Sequence, residues 1–401
     1  MIAMRRPPTF SARTAWDISE SELARAIAER RERGLPLLDL TASNPTRCGF
    51  VYDEEAILAA LGHKESLVYD PDPRGMMRAR EAVASYYVDH GAAVDPAHLF
   101  LTTSTSEAYS FLFRLLCDPS DEVLIAQPSY PLFDFLAQIE NVRLVPYPLF
   151  YDHGWRLDAE SLRRQITSKT RAIALVHPNN PTGHLTKDEE RAELEALCAE
   201  HGLALIVDEV FLDYGLQGHA GRSFACGSHP VLTFVLSGLS KIAALPQMKA
   251  AWIAAFGPNP DLKPALDRLE IIADTFLSMN APVQYALPEW LAARAGLQAQ
   301  ISVRVEQNLR TLDAELADQA LVSRLRVEAG WYAILRVPAL EPGEKLATTL
   351  VRERGVSVHP GYFFAFSGDG WLLISLLTSE EEFAEGIRVI CLFFSELDGE
   401  S

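Results

Sequence analysis

The chain has 401 residues, 48% of them apolar and 22% charged, a balance that excludes a disordered or fibrous protein and is enough for a large core. That length predicts two domains, or one large α/β domain with an appendage. Asp and Glu number 54 against 36 Lys and Arg, a formal net charge of −18, which repels phosphate backbones and anionic membranes and argues against a nucleic-acid or membrane-surface role.

The start, Met1 to Phe10, carries Arg5, Arg6, Pro7 and Pro8 but lacks the apolar stretch of a secretion signal. A helix is expected from Ser19 to Arg33, with Ser19 and Glu22 spaced as a capping box. Strand-like runs then alternate with helical patterns. The runs are 98–102, 122–126, 142–146, 172–176, 203–207 and 231–236; the helical patterns are 107–116, 132–140 and 187–201. Several runs are continuously apolar, as strands covered on both faces are, so the alternation predicts a doubly wound, mainly parallel α/β sheet. Pro288 to Leu321 reads as one or two long helices. Short strands in WYAILRV, GVSVHP and WLLISLL and a helix from Ser379 predict a smaller α+β domain, with a frayed tail over Glu396 to Ser401. No run of 18 or more apolar residues, the length that would span a membrane, appears in the sequence. The five cysteines, Cys48, Cys117, Cys198, Cys226 and Cys391, form no C-x-x-C pair and read as reduced thiols of a cytoplasmic protein.

In open α/β sheets, ligands gather beyond the carboxyl ends of the strands, and each such end here carries a polar signal. Thr103-Ser104-Thr105-Ser106 follows the first run and opens a helix, an arrangement that serves a phosphate as well as it serves simple N-capping. Gln127-Pro128-Ser129-Tyr130-Pro131 follows the second. His177-Pro178-Asn179-Asn180-Pro181-Thr182-Gly183 is a rigid turn able to aim an asparagine. Asp208 ends a fully apolar strand, where a carboxylate needs a cationic partner. Lys241 lies among small and apolar residues, where desolvation lowers an amine's pKa toward that of a Schiff-base lysine; Lys249 follows. The chain contains no G-x-G-x-x-G, P-loop, G-x-S-x-G or H-E-x-x-H motif, and no metal site is expected. His177 and His359 read as structural histidines.

Taken in order, a phosphate cradle, an aromatic residue, an aimed asparagine, a buried aspartate and a desolvated lysine are what pyridoxal phosphate requires. From about Asp39 to Thr378 the chain resembles the class I/II aminotransferases of pyridoxal-phosphate fold type I, most specifically in HPNNPTG (177–183), VDEVF (207–211) and SGLSKIAALPQMK (237–249). The resemblance implies a large domain over 48–285 with a mainly parallel sheet of the seven-stranded type, and a smaller one from 1–47 and 286–401. It implies Lys241 as the Schiff-base and proton-transfer lysine, Asp208 as partner of the pyridinium, Asn180 as donor to the ring oxygen and Tyr130 as the stacking residue. Ser104, Thr105, Ser106 and Lys249 would hold the phosphate. Tyr69 would reach the phosphate of the neighbouring subunit of a homodimer. The implied reaction is ping-pong amino transfer between a small amino acid or amine and a 2-oxo acid. A lyase, decarboxylase or racemase on the same fold, or a non-enzymatic binding protein, remains the alternative.

Three positions depart from the family pattern. Lys249 stands where arginine is usual and lacks its bidentate fork. Phe211 stands where a tyrosine usually bonds the ring oxygen. Pro360-Gly361 to Ser375 aligns so that Leu373 occupies the slot of the arginine that grips the substrate carboxylate. Arg47, in Ser43-Asn44-Pro45-Thr46-Arg47, is the candidate replacement.

Overall fold

The computed structural model of the protein describes residues 10–277 and 279–399; the Arg5–Pro8 stretch and the last two residues lie outside them. The strands in chain order are β1 (Leu38–Asp39), β2 (Leu99–Thr102), β3 (Glu122–Gln127), β4 (Arg143–Tyr151), β5 (Trp155–Leu157), β6 (Thr170–Val176) and β7 (Ala204–Asp208). They continue as β8 (Thr233–Gly238), β9 (Ala251–Phe256), β10 (Ser323–Arg324), β11 (Tyr332–Arg336), β12 (Val356–Ser357), β13 (His359–Pro360) and β14 (Trp371–Ser375).

The main sheet has the order β2-β9-β8-β7-β6-β3-β4-β5. The five strands from β8 through β4 are mutually parallel, while β9 is antiparallel to both β8 and β2. β2 therefore ends at the same edge as β3, β6, β7 and β8, and β9 begins there. Every residue of β2, β7, β8 and β9 is buried, which explains their mainly apolar sequences. Alternation divides the sheet between two cores. Leu205 and Val207 join one with Tyr86, Tyr87 and Leu194; Ala204 and Ile206 join the other with Leu112, Leu262 and Leu269. The helices Met77–Asp89 and Asp188–His201 thus cover one face, and Thr105–Leu116 and Asn259–Thr275 the other.

A second unit holds the four-stranded sheet β10-β11-β14-β13 and the parallel pair β1-β12, in which Leu38 is opposite Val356. Through that pair the N-terminal segment joins the C-terminal third. The helix Ala281–Leu316 contributes Leu287 and Trp290 to the main-sheet core and Ile301, Val305 and Leu309 to the core of the second unit.

Several elements differ from the sequence reading. The sheet has eight strands, because β4 turns back into the short antiparallel β5, and β9 was absent from the predicted runs. The first helix is Glu22–Glu32, capped by Ser21, which accepts from Ala24 N at 3.1 Å; Ser19 instead donates its backbone N–H to Asp17. The long helix begins at Ala281, capped by Asn280, and continues through Pro288. The final helix runs to Gly399, and Glu396 pairs with Arg354 rather than fraying. No helix among the described residues is long and apolar enough to cross a membrane.

Candidate active site

A cavity of about 280 Å³ opens at the carboxyl edge of the main sheet. Lys241 reaches it from the short helix Leu239–Ile242 that follows β8. Gly238 allows that turn to press against β9: a Cβ there would meet Ala251 Cβ at 2.8 Å and Ala250 O at 2.9 Å. Three side chains from elsewhere secure the segment. Tyr214 Oη donates to Lys241 O at 2.7 Å, Gln298 Nε2 to Ile242 O at 2.9 Å, and Tyr52 Oη to Ala244 O at 2.9 Å. The Lys241 Nζ lies 5.0 Å from the centroid of the Trp331 ring and 5.5 Å from that of Phe211. Burial lowers its pKa to about 8, against the opposing charge of Asp208.

Asp208 ends β7, and one carboxylate oxygen accepts from Val210 N at 3.1 Å. Burial raises its pKa to about 7; the Val210 hydrogen bond and Lys241 act in the opposite direction. An acid and an amine, each displaced toward neutrality by the same dry cavity, are the kind of pair that marks a reactive site.

At the helix Thr105–Leu116, Ser104 caps by accepting from Glu107 N at 3.1 Å. Glu107 in turn accepts from Thr103 N and Thr103 Oγ1 at 2.6 and 3.1 Å. The loop is thereby fixed, while Ser104, Thr105 and Ser106 all line the cavity beside the positive end of the helix dipole. Lys249 lines it from the other side, in a left-handed backbone conformation at φ 54°. Tyr130 lines it also, edge-on to Phe133 at 6.2 Å. The two consecutive asparagines have different tasks. Asn179 Oδ1 accepts from Thr182 N and Oγ1 and holds the turn. Asn180 lines the cavity, and its Oδ1 is buried without a hydrogen-bond partner.

The structure therefore brings Lys241, Asp208, Asn180, Tyr130, Ser104, Thr105, Ser106 and Lys249 to one cavity. Two nominated residues are not in its lining: Tyr69 is 79% exposed and Arg47 is exposed on its loop. Leu373 is fully buried on β14. His177 accepts from Thr186 N through Nδ1 and contacts Arg222 O through Nε2. The sequence reading did not nominate six polar lining residues: Ser43, Thr103, Tyr109, Ser240, Trp331 and Tyr332. Tyr109 could have been found by helical spacing, one turn beyond Thr105. Trp331 and Tyr332 carried no such signal, because they come from the second unit.

A doubly wound sheet with a lysine and an aspartate facing one pocket defines a class of cofactor enzymes. Within that class the chain belongs to the family described as aminotransferase class I and II, whose pattern matches residues 38–390. It is similar to the glutamate-pyruvate aminotransferase AlaA of Haemophilus influenzae, 24% identical over 91% of this chain and 92% of that one. It is also similar to the aspartate/prephenate aminotransferase of Thermus thermophilus, 27% identical over 90% and 91%. The fold superposes on the alanine aminotransferase of Pyrococcus furiosus with a TM-score of 0.87 at 22% identity, covering 97% of this chain and 100% of that one. The protein is an aminotransferase of the pyridoxal-phosphate-dependent family, with the fold-type-I architecture of a large, mostly parallel sheet and a smaller C-terminal unit.

Proposed function

We propose that the chain binds pyridoxal 5′-phosphate in this cavity and transfers an amino group between a small amino acid or amine and a 2-oxo acid. The observation that carries the reading is that Asp208 and Lys241 line one cavity together with the hydroxyl-rich N-terminus of the helix Thr105–Leu116. The donor set suits the cofactor: Ser104, Thr105, Ser106 and Lys249 for the phosphate, Tyr130 for the ring face, Asn180 for the ring oxygen and Asp208 for the ring nitrogen. Bound there, the cofactor would supply a carbonyl carbon to capture an amine and a ring that delocalises an electron pair.

The chain's own residues divide the remaining work. Asp208 would stand against the ring nitrogen and favour its protonated form. Lys241 would hold the cofactor, and its Nζ, whose pKa burial lowers to about 8 in the protein alone, would be placed to take a proton from the substrate carbon and return one. Phe211 and Trp331 keep water from the ammonium. The expected kinetics are ping-pong. Formation of stable pyridoxamine phosphate on adding an amino donor alone tests the reading; a lyase, decarboxylase or racemase would not accumulate it.

We further propose a homodimer in which Tyr69 serves the partner's site; its 79% exposure in the single chain is compatible with that role. The units are taken as 48–285, and 1–47 with 286–401. Five free cysteines support a cytoplasmic location.

A further inference from the structure

Among the described residues, no cation of the second unit lines the cavity; Arg336, on the same side of β11 as Tyr332, is exposed, donates to Asp369 O and Gly370 O and lies outside the lining. Antiparallel pairing sets Ile334 opposite Leu373 and Tyr332 opposite Ser375, and β13 sets His359 opposite Leu373. Side chains alternate, so Tyr332, Ile334, Leu373 and His359 share one side of this sheet. Ile334 and Leu373 pack into the main-sheet core, whereas Ala333, Leu335, Leu372 and Ile374 pack into the other. Leucine at 373 brings no charge to that side. His359 does not supply one either: its ring stacks on Phe363 at 5.1 Å and 6°, and burial lowers its pKa to about 4. Among the described residues, the cavity is lined by two cations, Lys241 and Lys249. The first is consumed by the cofactor carbonyl and the second is committed to the phosphate.

What this side offers the cavity is neutral. The Ser43 hydroxyl and the Tyr332 phenol both line the cavity. Tyr130, Phe133, Leu136 and Trp331 line the same cavity. Two hydroxyls can hold one carboxylate through charge-assisted bonds. A second carboxylate, on the substrate's side chain, would meet aromatic and aliphatic walls with no partner and would be rejected for its lost hydration. An aromatic or large apolar side chain would instead gain contact area.

Resting on the aminotransferase reading, we propose that Ser43 and Tyr332 form a neutral carboxylate anchor, and that the cavity selects amino and 2-oxo acids with one carboxylate and an aromatic or large apolar side chain.

The test is calorimetric titration of the pyridoxal-phosphate-loaded protein with three unreactive probes: 3-phenylpropionate, its uncharged analogue 3-phenylpropanol, and the dicarboxylate succinate. We expect 3-phenylpropionate to bind roughly tenfold or more tightly than succinate. Tyr332→Phe and Ser43→Ala should each lower the ratio of 3-phenylpropionate to 3-phenylpropanol affinity roughly tenfold, the effect of one hydrogen bond to a charged group. A purely structural role would weaken both probes alike and leave the ratio unchanged. The proposal is overturned if succinate binds as well as 3-phenylpropionate, if neither carboxylate binds, or if the ratio is unmoved in both variants. No turnover is needed. Should 3-phenylpropionate be preferred while no amino donor yields pyridoxamine phosphate, the transamination reading fails and the anchor stands; pyridoxamine phosphate formation with succinate preferred removes the anchor alone.

Discussion

Lys241 follows a strand of the main sheet and Trp331 precedes a strand of the second unit, yet the Lys241 Nζ stands 5.0 Å from the centre of the Trp331 ring. The indole closes the cavity over the amine from the second unit, while Phe211, next to the strand bearing Asp208, closes it from the first. A ring face favours the ammonium form, but burial dominates and the pKa falls to about 8. A lysine so placed has an appreciable unprotonated fraction near neutrality, as capture of a carbonyl requires.

Covalent attachment is therefore expected at this lysine. Borohydride reduction of the pyridoxal-phosphate-loaded protein, followed by peptide mapping, should locate the pyridoxyl group on Lys241, and Lys241→Ala should carry none. Lys249 is the natural competitor, being the other lysine of the cavity; label found there would reverse the two assignments.

The same desolvation affects stability in the cofactor-free protein. The folded-state pKa of Lys241 lies below its unfolded value of 10.5, at about 8. Below pH 8 both states bind the proton, and the folded state bears the full cost of the buried charge, on the order of 3 kcal/mol. Between pH 8 and 10.5 the unfolded state binds more protons, so stability rises with pH and the cost vanishes. Lys241→Met, which keeps most of the volume without the charge, should thus be more stable than the parent at pH 7, with the gap closing by about pH 10.5. Urea unfolding at a series of pH values measures it; a gap independent of pH would place its origin in packing.

How much of this was legible in the sequence follows from what each residue had to do. Asp208, Asn180 and Lys241 stood at or a few residues beyond the ends of buried strands, so the apolar run located the strand and the short polar segment after it located the site. β9 escaped because Ala251–Phe256 directly follows the Lys249 segment with no helix between, and an antiparallel strand breaks the alternation that revealed the rest. Ser43 and Tyr332 were hidden for another reason. Each is an ordinary polar residue in its own neighbourhood, and only the pairing of β1 with β12 and of β11 with β14 brings the chain ends to the cavity. Tyr69, chosen by resemblance, lies outside its own chain's cavity lining.

Asp208→Asn should separate binding from chemistry. The amide keeps the shape, the Val210 N–H bond can be retained, and the phosphate contacts are untouched, so cofactor retention should change little. Without the carboxylate, the ring nitrogen loses the charge that holds its proton. A buried ionic partner of this kind is worth roughly 3–5 kcal/mol, which corresponds to a loss of about two to four orders of magnitude in kcat. Near-parental turnover in Asp208→Asn would remove this residue from the mechanism.

The shared-site dimer is tested by complementation. Lys241→Ala and Tyr69→Phe chains should each have low activity, the first for lack of its amine and the second through a weakened phosphate site. Mixed after denaturation and refolding together, they should form hybrids with one site that has both groups. Recovery of up to a quarter of parental activity is the statistical expectation, on the order of one competent site in a random mixture of dimers. Two inactive parents whose mixture stays inactive would mean that Tyr69 acts on its own chain or not at all.

Arg47 provides the last test, because it competes with the neutral anchor for one role. It lies four residues beyond Ser43, on the same loop, but its side chain is exposed and stands outside the cavity lining. A guanidinium in water acts on a substrate carboxylate only through a screened field, which fades over about 10 Å at ordinary salt. Arg47→Ala should therefore change kcat/KM for a monocarboxylic amino donor by less than about threefold, and raising the salt should remove what difference there is. Ser43→Ala should raise KM by roughly tenfold, since it removes a hydrogen bond to charge inside the dry cavity. Steady-state kinetics of the two variants with one donor decide the matter. A tenfold rise in KM in Arg47→Ala, with kcat kept and no dependence on salt, would mean that the loop folds inward during turnover and that the arginine, not the hydroxyl pair, grips the carboxylate.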